Sequence, residues 1–290
     1  MKHNNNVLQM CGITRRDFIT GALGMGVAGA ALRLEAALPA AGLDHVNLRV
    51  PDVRRAAEFY IKLFGAQVAR APNAKAQTAN PASPSGELWF IRLGESFLAI
   101  SPTGSQLKPG IDHFCFAISG FNGDRLKSQL AGLNQQWPDS PSNNLWLKDP
   151  AGHVIQLSAP GDSSRVPGSG VGAVLVEPAG GAKREPAFQA ARITELTLAV
   201  PKIEPSASYY RKLLGNTAET QQQGRFRVGQ SAFVLGPASG GESFRVGVIA
   251  FDPSAVASKL KNLGVSAAVA RDKSALSFRD PDGIRVEIGG

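Results

Sequence analysis

Apolar and polar side chains alternate along residues 43–50, which read "LDHVNLRV". The apolar members are Val46, Leu48 and Val50, and the polar members between them are His45, Asn47 and Arg49. Because successive side chains of a strand point to opposite faces, this pattern predicts a strand with one apolar face and one polar face. The polar face lies either in solvent or along the wall of a binding site.

The same pattern occurs a second time in the chain, which predicts two halves of similar plan. Residues 46–68, "VNLRVPDVRRAAEFYIKLFGAQV", align with residues 196–218, "LTLAVPKIEPSASYYRKLLGNTA". Residues 147–157, "LKDPAGHVIQL", align with residues 278–288, "FRDPDGIRVEI". The apolar face of the strand is shared by both copies, whereas the polar residues are particular to the first copy. This contrast favours a binding-site wall over a solvent-exposed face.

Hydrophobic periodicity predicts that each half consists of two units, each with one strand, one helix and three further strands. In the first unit, a helix near 52–64 follows strand 43–50, and Gly65 is expected to end it as a left-handed cap. The other strands predicted in the first half lie at 66–71, 87–92, 96–101, 112–118, 134–137, 144–148 and 153–158, with a helix at 122–132 that ends at Gly132. In the second half, we expect strands at 193–200 and 244–251 and helices at 204–214 and 253–263, each helix followed by three short strands.

The predicted fold class is therefore α+β, built from four βαβββ modules that form two paired-module domains. The domain boundaries follow from composition, with one domain at 42–160 and the other at 192–290. Residues 161–191 are rich in Pro, Gly and Ser and are predicted to be a linker, with a short strand at 171–176.

The N-terminal 41 residues carry a targeting pattern. "TRRDFIT" at 14–20 precedes the small apolar stretch "GALGMGVAGAAL" at 21–32, and "ALPAAG" at 37–42 offers small residues for cleavage. This pattern resembles a twin-arginine signal peptide, which implies export of the folded protein to the periplasm or beyond. The alternative is a basic tail with a short apolar helix.

Composition excludes some classes of function. The net charge is +8, and the basic residues are scattered without a cluster that interleaves with aromatic residues, so nucleic-acid binding is not expected. No apolar run reaches the roughly 20 residues of a spanning helix, so no stable membrane span is expected after signal cleavage. Outside the leader Cys115 is the single cysteine, and its apolar neighbours favour a packed strand residue over a nucleophile.

The repeated modules, with "DHV" at the start of one module and "DPAG" before its last strand, resemble the vicinal oxygen chelate superfamily. This superfamily includes glyoxalase I, extradiol dioxygenases and bleomycin-resistance proteins. The resemblance covers roughly residues 43–290 and implies sheets that curl into cups with helices outside. The implied ligand is a small molecule that chelates a metal through adjacent oxygens.

The resemblance also implies the positions of metal ligands. Carried over residue by residue, these positions are His45, His113 in "IDHFCFAI" and Gln156 in "GHVIQLS", while a fourth position falls on Ala99. Two imidazoles and an oxygen donor suit a divalent Fe, Mn, Zn or Ni ion. Because the amide of Gln156 is neutral, it is a weaker donor than the usual carboxylate. The alternative is a pair of pocket histidines that are hydrogen-bonded to neighbouring polar groups.

Substrate-binding residues are expected beside these positions, namely Asn47, Arg49, Phe97, Cys115 and Ser158. Arg49 is predicted to meet a ligand carboxylate or enolate, with a salt bridge to a local carboxylate as the alternative. Trp89 and Trp146 are candidates for aromatic walls or plain core. His153 follows the hairpin turn and is expected to be exposed. The positions in the second half that correspond to the ligands and Ala99 are Glu195, Val234, Val246 and Glu287, without histidine.

The leading function predicted from the sequence is a metal-dependent enzyme, dioxygenase-like first and lyase- or isomerase-like (glyoxalase-like) second. The principal alternative is a metal-free protein that binds a small molecule, as bleomycin-resistance proteins do, and a third is a structural duplicate without site chemistry. The catalytic residues are unknown, because no general base is identifiable. The sequence leaves the substrate, the metal and the oligomeric state open.

Overall fold

Two mixed β-sheets and four α-helices make up the part of the chain that the computed structural model describes. The described residues are 38–65, 67–72, 87–103, 107–130, 133, 145–160, 174–177, 183–215, 224–269 and 274–290. Residues 1–37 of the predicted signal peptide lie outside these ranges, as do Gly132 and the strand predicted at 134–137. Residues 38–41 of that peptide are described, and the first strand begins at Ala40. No helix within the described ranges is long and apolar enough to cross a membrane.

The first sheet has eight strands in the spatial order β6-β7-β5-β1-β4-β3-β2-β8. Their bounds are β1 Ala40–Val50, β2 Val68–Pro72, β3 Glu87–Leu93, β4 Ser96–Pro102, β5 Gly110–Ile118, β6 Leu145–Lys148, β7 Val154–Ser158 and β8 Val174–Leu175. The pairs β1–β4 and β5–β7 are parallel, and the others are antiparallel. The first strands of the two modules, β1 and β5, are therefore neighbours at the centre of the sheet.

The second sheet has seven strands in the order β10-β11-β9-β12-β15-β14-β13. Their bounds are β9 Ala190–Val200, β10 Arg225–Val228, β11 Ser231–Pro237, β12 Ser243–Val248, β13 Ala268–Val269, β14 Ala275–Arg279 and β15 Arg285–Gly289. Here the central antiparallel pair is β9–β12, with β11 and β15 parallel to them on either side. The same central arrangement thus occurs in both sheets.

The helices are α1 Val53–Phe64, α2 Gly123–Leu130, α3 Ile203–Leu214 and α4 Pro253–Asn262. Helix α1 begins where the Asp52 side chain accepts a hydrogen bond from the Arg55 backbone N–H at 3.0 Å. Its buried residues recur at helical spacing and are Val53, Ala56, Ala57, Tyr60, Leu63 and Phe64. This apolar stripe packs against the core that both sheets share.

The prediction of a left-handed cap at Gly65 is wrong, because its φ is −78°. Its N–H donates to the Ile61 carbonyl at 2.9 Å, and a Cβ at this position would lie 2.6 Å from the Cα of Ile61. Gly65 is therefore required by close backbone approach, since any larger residue would collide with the last helical turn.

Aspartates of the two DPxG turns join the halves through buried phenols. Tyr60 on α1 donates to Asp280 Oδ2 at 2.7 Å, and Tyr210 on α3 donates to Asp149 Oδ2 at 3.0 Å. The other oxygen of each aspartate accepts two backbone N–H groups of its own turn. Burial, followed by the charge of the neighbouring aspartate, raises the pKa of both phenols. Each helix is thus anchored to the hairpin turn of the opposite half.

His153 forms another link between the halves. Its Nδ1 lies 2.9 Å from Asp149 Oδ2 and its Nε2 lies 3.1 Å from Glu242 Oε1, with 17 % of the side chain exposed. The expectation of an exposed His153 is therefore wrong. Burial lowers the pKa of this imidazole, but hydrogen bonds with both carboxylates outweigh burial and raise the pKa to about 9.

Candidate functional site

The imidazoles of His45 on β1 and His113 on β5 meet on one face of the first sheet. The strands are antiparallel neighbours, and His45 pairs with Cys115 while Asn47 pairs with His113. The two Nε2 atoms lie 3.3 Å apart. Both side chains are buried, with 3 % of His45 and 9 % of His113 exposed. The polar face of "LDHVNLRV" is therefore an interior surface, and we call it the imidazole face.

Two β-bulges place an aspartate beside each imidazole. The register between β1 and β5 shifts by one residue between Leu43 and His45, which leaves Asp44 as an extra residue on β1. An equivalent shift leaves Asp112 as an extra residue on β5. Asp44 Oδ2 lies 2.8 Å from His45 Nδ1, and Asp112 Oδ2 lies 2.8 Å from His113 Nδ1. In a regular strand, adjacent side chains point to opposite faces, so each aspartate would point away from its histidine. The bulges allow the two side chains of each pair to meet.

The carboxylates fix which imidazole nitrogen faces the other ring. When a neutral imidazole donates its Nδ1–H to a carboxylate, its Nε2 carries the lone pair. Two such lone pairs at 3.3 Å repel each other unless a shared proton or a cation lies between them. The geometry is therefore suited to an electron-pair acceptor placed between the two Nε2 atoms.

Arg49 supports Asp112. Its Nη1 lies 3.6 Å from Asp112 Oδ1, and the guanidinium also donates to the carbonyls of Lys108 and Ile111. Burial raises the pKa of Asp112, but the hydrogen bond and charge of His113, together with Arg49, outweigh it and leave this pKa below 3.8. The predicted alternative, a salt bridge to a local carboxylate, describes Arg49 in this structure.

Gln156 lies on the imidazole face, paired with Cys115 of β5 and Trp146 of β6. Its side chain is 1 % exposed, and among the described residues its amide nitrogen has no hydrogen-bond partner. A buried amide without partners carries a desolvation cost. The register beside Cys115 makes the amide oxygen of Gln156 a candidate third donor, whereas the amide nitrogen needs a hydrogen-bond acceptor and would not be satisfied by a cation.

Aromatic rings enclose the imidazole pair. The Phe97 ring stacks on His45 with centroids 4.4 Å apart, and the Trp146 ring meets His113 edge-on at 4.8 Å. Phe90 pairs with Ala99 on the same face and packs against Phe97. Trp89 lies on the opposite face and packs against the core, so of the two tryptophans only Trp146 forms a wall of the imidazole face.

The remaining predicted binding residues differ in their surroundings. Asn47 is buried, and its Oδ1 accepts a hydrogen bond from the Ser101 hydroxyl at 3.0 Å. Cys115 Sγ lies 3.2 Å from the Ser158 hydroxyl, which places both side chains on the imidazole face. Asp44, His45 and Cys115 also offer ligand atoms within 4.8 Å of one another. Asp44 occupies the Nδ1 side of His45, which is the usual place of an orienting carboxylate.

Sequence reasoning missed Asp44, Asp112 and Phe90. The signal for the aspartates was present, since an Asp-His pair occurs in both "LDHV" and "IDHF". The contact between adjacent side chains depends on the bulges, which a strand pattern does not reveal. Phe90 lies opposite Ala99 only because of the register between β3 and β4.

In the second sheet, the corresponding positions form ion pairs. Strand register places Glu195, Val234 and Glu287 at the predicted corresponding positions. The residue that corresponds to His113 is Ser243, because Ser243 pairs with Thr197 in the same way that His113 pairs with Asn47. The predicted correspondence of Val246 with His113 is therefore wrong. Arg245 takes the position of Cys115. Its Nη2 lies 2.7 Å from Glu287 Oε2 and 3.5 Å from Glu195 Oε1. A guanidinium thus bridges the two carboxylates.

Comparison with known proteins gives a family match for the first half. The model of the Glyoxalase/Bleomycin resistance protein/Dioxygenase superfamily matches residues 42–157, the segment that carries the imidazole face. A search of curated proteins gives no significant match.

Solved structures with a similar fold span almost the whole chain. The 2,3-dioxygenase LapB from Pseudomonas sp. KL28 is 15 % identical, with a TM-score of 0.58 over 88 % of this chain and 93 % of that chain. BphC, a halotolerant catechol dioxygenase, is 17 % identical, with a TM-score of 0.57 over 86 % of each chain. The Mn(II)-bound glyoxalase from Novosphingobium aromaticivorans is 14 % identical, with a TM-score of 0.57 over 87 % of this chain and 82 % of that chain. At these identities the likeness concerns the fold, and it confirms the predicted α+β class.

Proposed function

We propose that residues 42–157, which match the model of the Glyoxalase/Bleomycin resistance protein/Dioxygenase superfamily, hold a divalent metal ion on the imidazole face. His45 and His113 are the nitrogen ligands in this proposal, and Gln156 is the oxygen ligand. The protein would be a metal-dependent enzyme whose substrate is a small molecule with two adjacent oxygens.

The observation that carries this proposal is the convergence of two Nε2 atoms at 3.3 Å, each on a ring whose Nδ1 lies against an aspartate. Histidines that bind metals commonly have such a carboxylate on the other nitrogen, because it fixes the tautomer and makes the ligating nitrogen more basic. Iron, manganese, zinc and nickel all accept imidazole with an oxygen donor.

A bound divalent ion would supply Lewis-acid polarisation of the chelating substrate oxygens and a template that orients them. The chain itself would contribute walls that exclude water and select the ligand. Phe90, Phe97 and Trp146 present rings around the imidazoles, which favours a planar aromatic substrate. For this reason we place dioxygenase-like ring cleavage first and lyase or isomerase chemistry second.

The proposal is tested by elemental analysis of the full chain purified after native export. We expect about one equivalent of metal in the parent protein and loss of metal in a His45→Ala/His113→Ala variant. His153→Ala is the matched control, since it removes a histidine outside the imidazole face. If the parent protein neither contains metal nor takes up Fe(II), Mn(II), Zn(II) or Ni(II), the proposal is wrong.

Gln156→Glu tests the third ligand. Replacing a neutral donor by a carboxylate adds a negative charge beside the cation, so we expect the metal dissociation constant to fall by about tenfold or more. Calorimetric titration with Mn(II) measures the change. An affinity equal to that of the parent protein would remove Gln156 from the ligand set.

A metal-free binding protein is the second candidate. It is favoured by the hydrogen-bond distance between the imidazoles, because one shared proton satisfies both rings without a metal. In that case the metal analysis gives no metal, while the aromatic walls still bind a ring-containing ligand. Fluorescence quenching of Trp146 by catechol, compared between parent and Trp146→Phe proteins, then separates binding from an inert fold.

We also propose that the protein is exported through the twin-arginine pathway, on the basis of Arg15, Arg16 and the apolar stretch after them. Replacing both arginines by lysine preserves the charge but changes the motif. We expect the variant to accumulate in the cytoplasm when cells are fractionated. Unchanged export of the variant would assign the leader to another route.

A further inference from the structure

The second sheet presents its own polar face at the positions that correspond to the imidazole face. Cross-strand pairing places two neighbouring rows of residues on this surface, which we call the arginine face. In spatial order, the first row is Arg225, Val234, Thr197, Ser243, Arg285 and Arg279. The second row is Arg227, Ala232, Glu195, Arg245, Glu287 and Ser277.

The arginine face differs from the imidazole face in charge and in aromatic content. Its two rows contain five arginines and two glutamates, which gives a formal charge of +3. The positions of Phe90, Phe97 and Trp146 in the first sheet correspond here to Arg225, Ala232 and Ser277. The second sheet has therefore exchanged rings for cationic and small polar side chains, which disfavours an aromatic ligand and favours a negatively charged one.

Each glutamate of the arginine face forms ion pairs with two arginines. Glu195 contacts both Arg225 at 2.8 Å and Arg245 at 3.5 Å. Glu287 contacts both Arg245 at 2.7 Å and Arg285 at 3.0 Å. Three guanidiniums thus share two carboxylates, and positive charge remains in excess.

Positive groups also lie nearer the surface than the negative ones. The two glutamate side chains are 12–13 % exposed, whereas those of Arg245, Arg225 and Arg285 are 24 %, 27 % and 36 % exposed. A solute that approaches this face therefore meets guanidinium groups first. The carboxylates beneath hold these groups in place.

Arg279 and Arg285 adjoin open space into which a ligand fits. Both line a cavity of about 830 Å³ and a neighbouring cavity of about 190 Å³. The carboxylates that also line these cavities are already engaged by protein donors, Asp280 by Tyr60, Glu242 by His153 and Asp282 by Arg55. Among the described residues, the buried Nε of Arg285 has no hydrogen-bond partner. The Nη atoms of Arg285 donate to the Gly240 carbonyl and to Glu287, so Nε is the donor of this group for which an anionic oxygen would supply an acceptor.

We propose that the arginine face is a binding site for a small anion that carries at least two negative charges on carboxylate or phosphate oxygens, held chiefly by Arg279 and Arg285. The planar guanidinium fork donates two parallel hydrogen bonds to either kind of group. The site lies on the sheet opposite to the imidazole face, so it does not depend on metal binding there.

Calorimetric titration of the full chain at constant ionic strength tests this site, with malonate and with inorganic phosphate as probes. We expect saturable binding of at least one of them, and the tighter probe identifies the preferred acid group. Arg279→Gln and Arg285→Gln should each weaken binding by about tenfold or more, because each removes a charge-assisted hydrogen-bond donor. Thermal unfolding checks that each variant folds. If Arg285→Gln does not fold, Arg279→Gln alone tests the site.

Arg54→Gln is the matched control, since Arg54 on α1 is 79 % exposed and removing it changes the net charge by the same amount. Its affinity should equal that of the parent protein. The proposal is overturned if neither probe binds saturably, or if Arg54→Gln weakens binding as much as Arg279→Gln does, because the effect would then be general charge attraction.

Discussion

Two adjacent tyrosines of α3 have opposite hydrogen-bonding situations. The Tyr210 phenol donates to Asp149, whereas the buried Tyr209 phenol has no partner among the described residues. Tyr210→Phe removes one of two donors to Asp149 Oδ2, and the His153 imidazole remains in contact with that oxygen. We therefore expect the free energy of unfolding to fall by ~1 kcal/mol. Tyr209→Phe removes only an unsatisfied hydroxyl and should be neutral or stabilising. Urea unfolding of both variants measures the difference, and equal losses would contradict the assigned contacts.

At the same scale, the sequence predicted His45, His113 and Gln156 on one face, and the structure brings them together. These positions were implied by the family resemblance, and alternation along each strand supported one shared face. The roles of Asp44 and Asp112 could not be predicted, since bulges break that alternation. The partners of the Arg49 guanidinium could not be predicted either, because they lie on another strand and in a loop.

At the scale of elements, the turn between β3 and β4 joins the two halves. Gly94 has a φ of +61°, and a Cβ there would lie 1.9 Å from the carbonyl oxygen of Ala191 on β9. Gly229, between β10 and β11, approaches Ala41 on β1 in the same way, with a distance of 1.7 Å. Each tight turn therefore rests directly on the first strand of the opposite half.

Gly94→Ala is predicted to be strongly destabilising, because it combines a strained φ with a backbone collision. We expect a loss of several kcal/mol, or failure to fold, in denaturant unfolding. Gly152→Ala is the control, since Gly152 has a φ of +95° but nothing lies within 4 Å of its Cβ position. It should cost only about 1 kcal/mol. Similar losses for both would show that the contact with Ala191 is unimportant.

Element positions were predictable to within a few residues because the alternation and the helical stripe are local. The strand predicted at 43–50 begins at Ala40, and the helix predicted at 52–64 begins at Val53. Register was not predictable to the same degree. The correspondence of His113 with Ser243, and not with Val246, follows from hydrogen bonding between β9 and β12. Sequence alignment alone does not contain that information.

At the scale of the whole molecule, His153 makes the contact between the halves sensitive to pH. Its pKa rises from 6.5 to about 9 on folding, so the folded state holds this proton more tightly. The stabilisation is complete below pH 6.5 and is lost as the pH rises through about 9, with a total of ~3 kcal/mol. We expect the free energy of unfolding to fall across this window, and His153→Gln to flatten that slope. An equal slope in the variant would assign the dependence to other groups.

The two sheets share one architecture but differ in the chemistry of their polar faces. The first sheet gathers two imidazoles, an amide and aromatic rings, and the second gathers guanidiniums over two glutamates. The polar faces differ at positions of equal register, whereas the apolar faces of both sheets form one core. The proposed metal and anion sites are therefore separable by mutation.

Electron spin-echo envelope modulation of the protein loaded with one equivalent of Mn(II) tests the central claim most directly, because it detects nitrogen nuclei bound to the ion. We predict modulation from two imidazole nitrogens in the parent protein, from one in His113→Gln, and from none in the double variant with His45→Gln. Mn(II) binding without nitrogen modulation, or modulation that persists in the double variant, would contradict a metal ion held by His45 and His113.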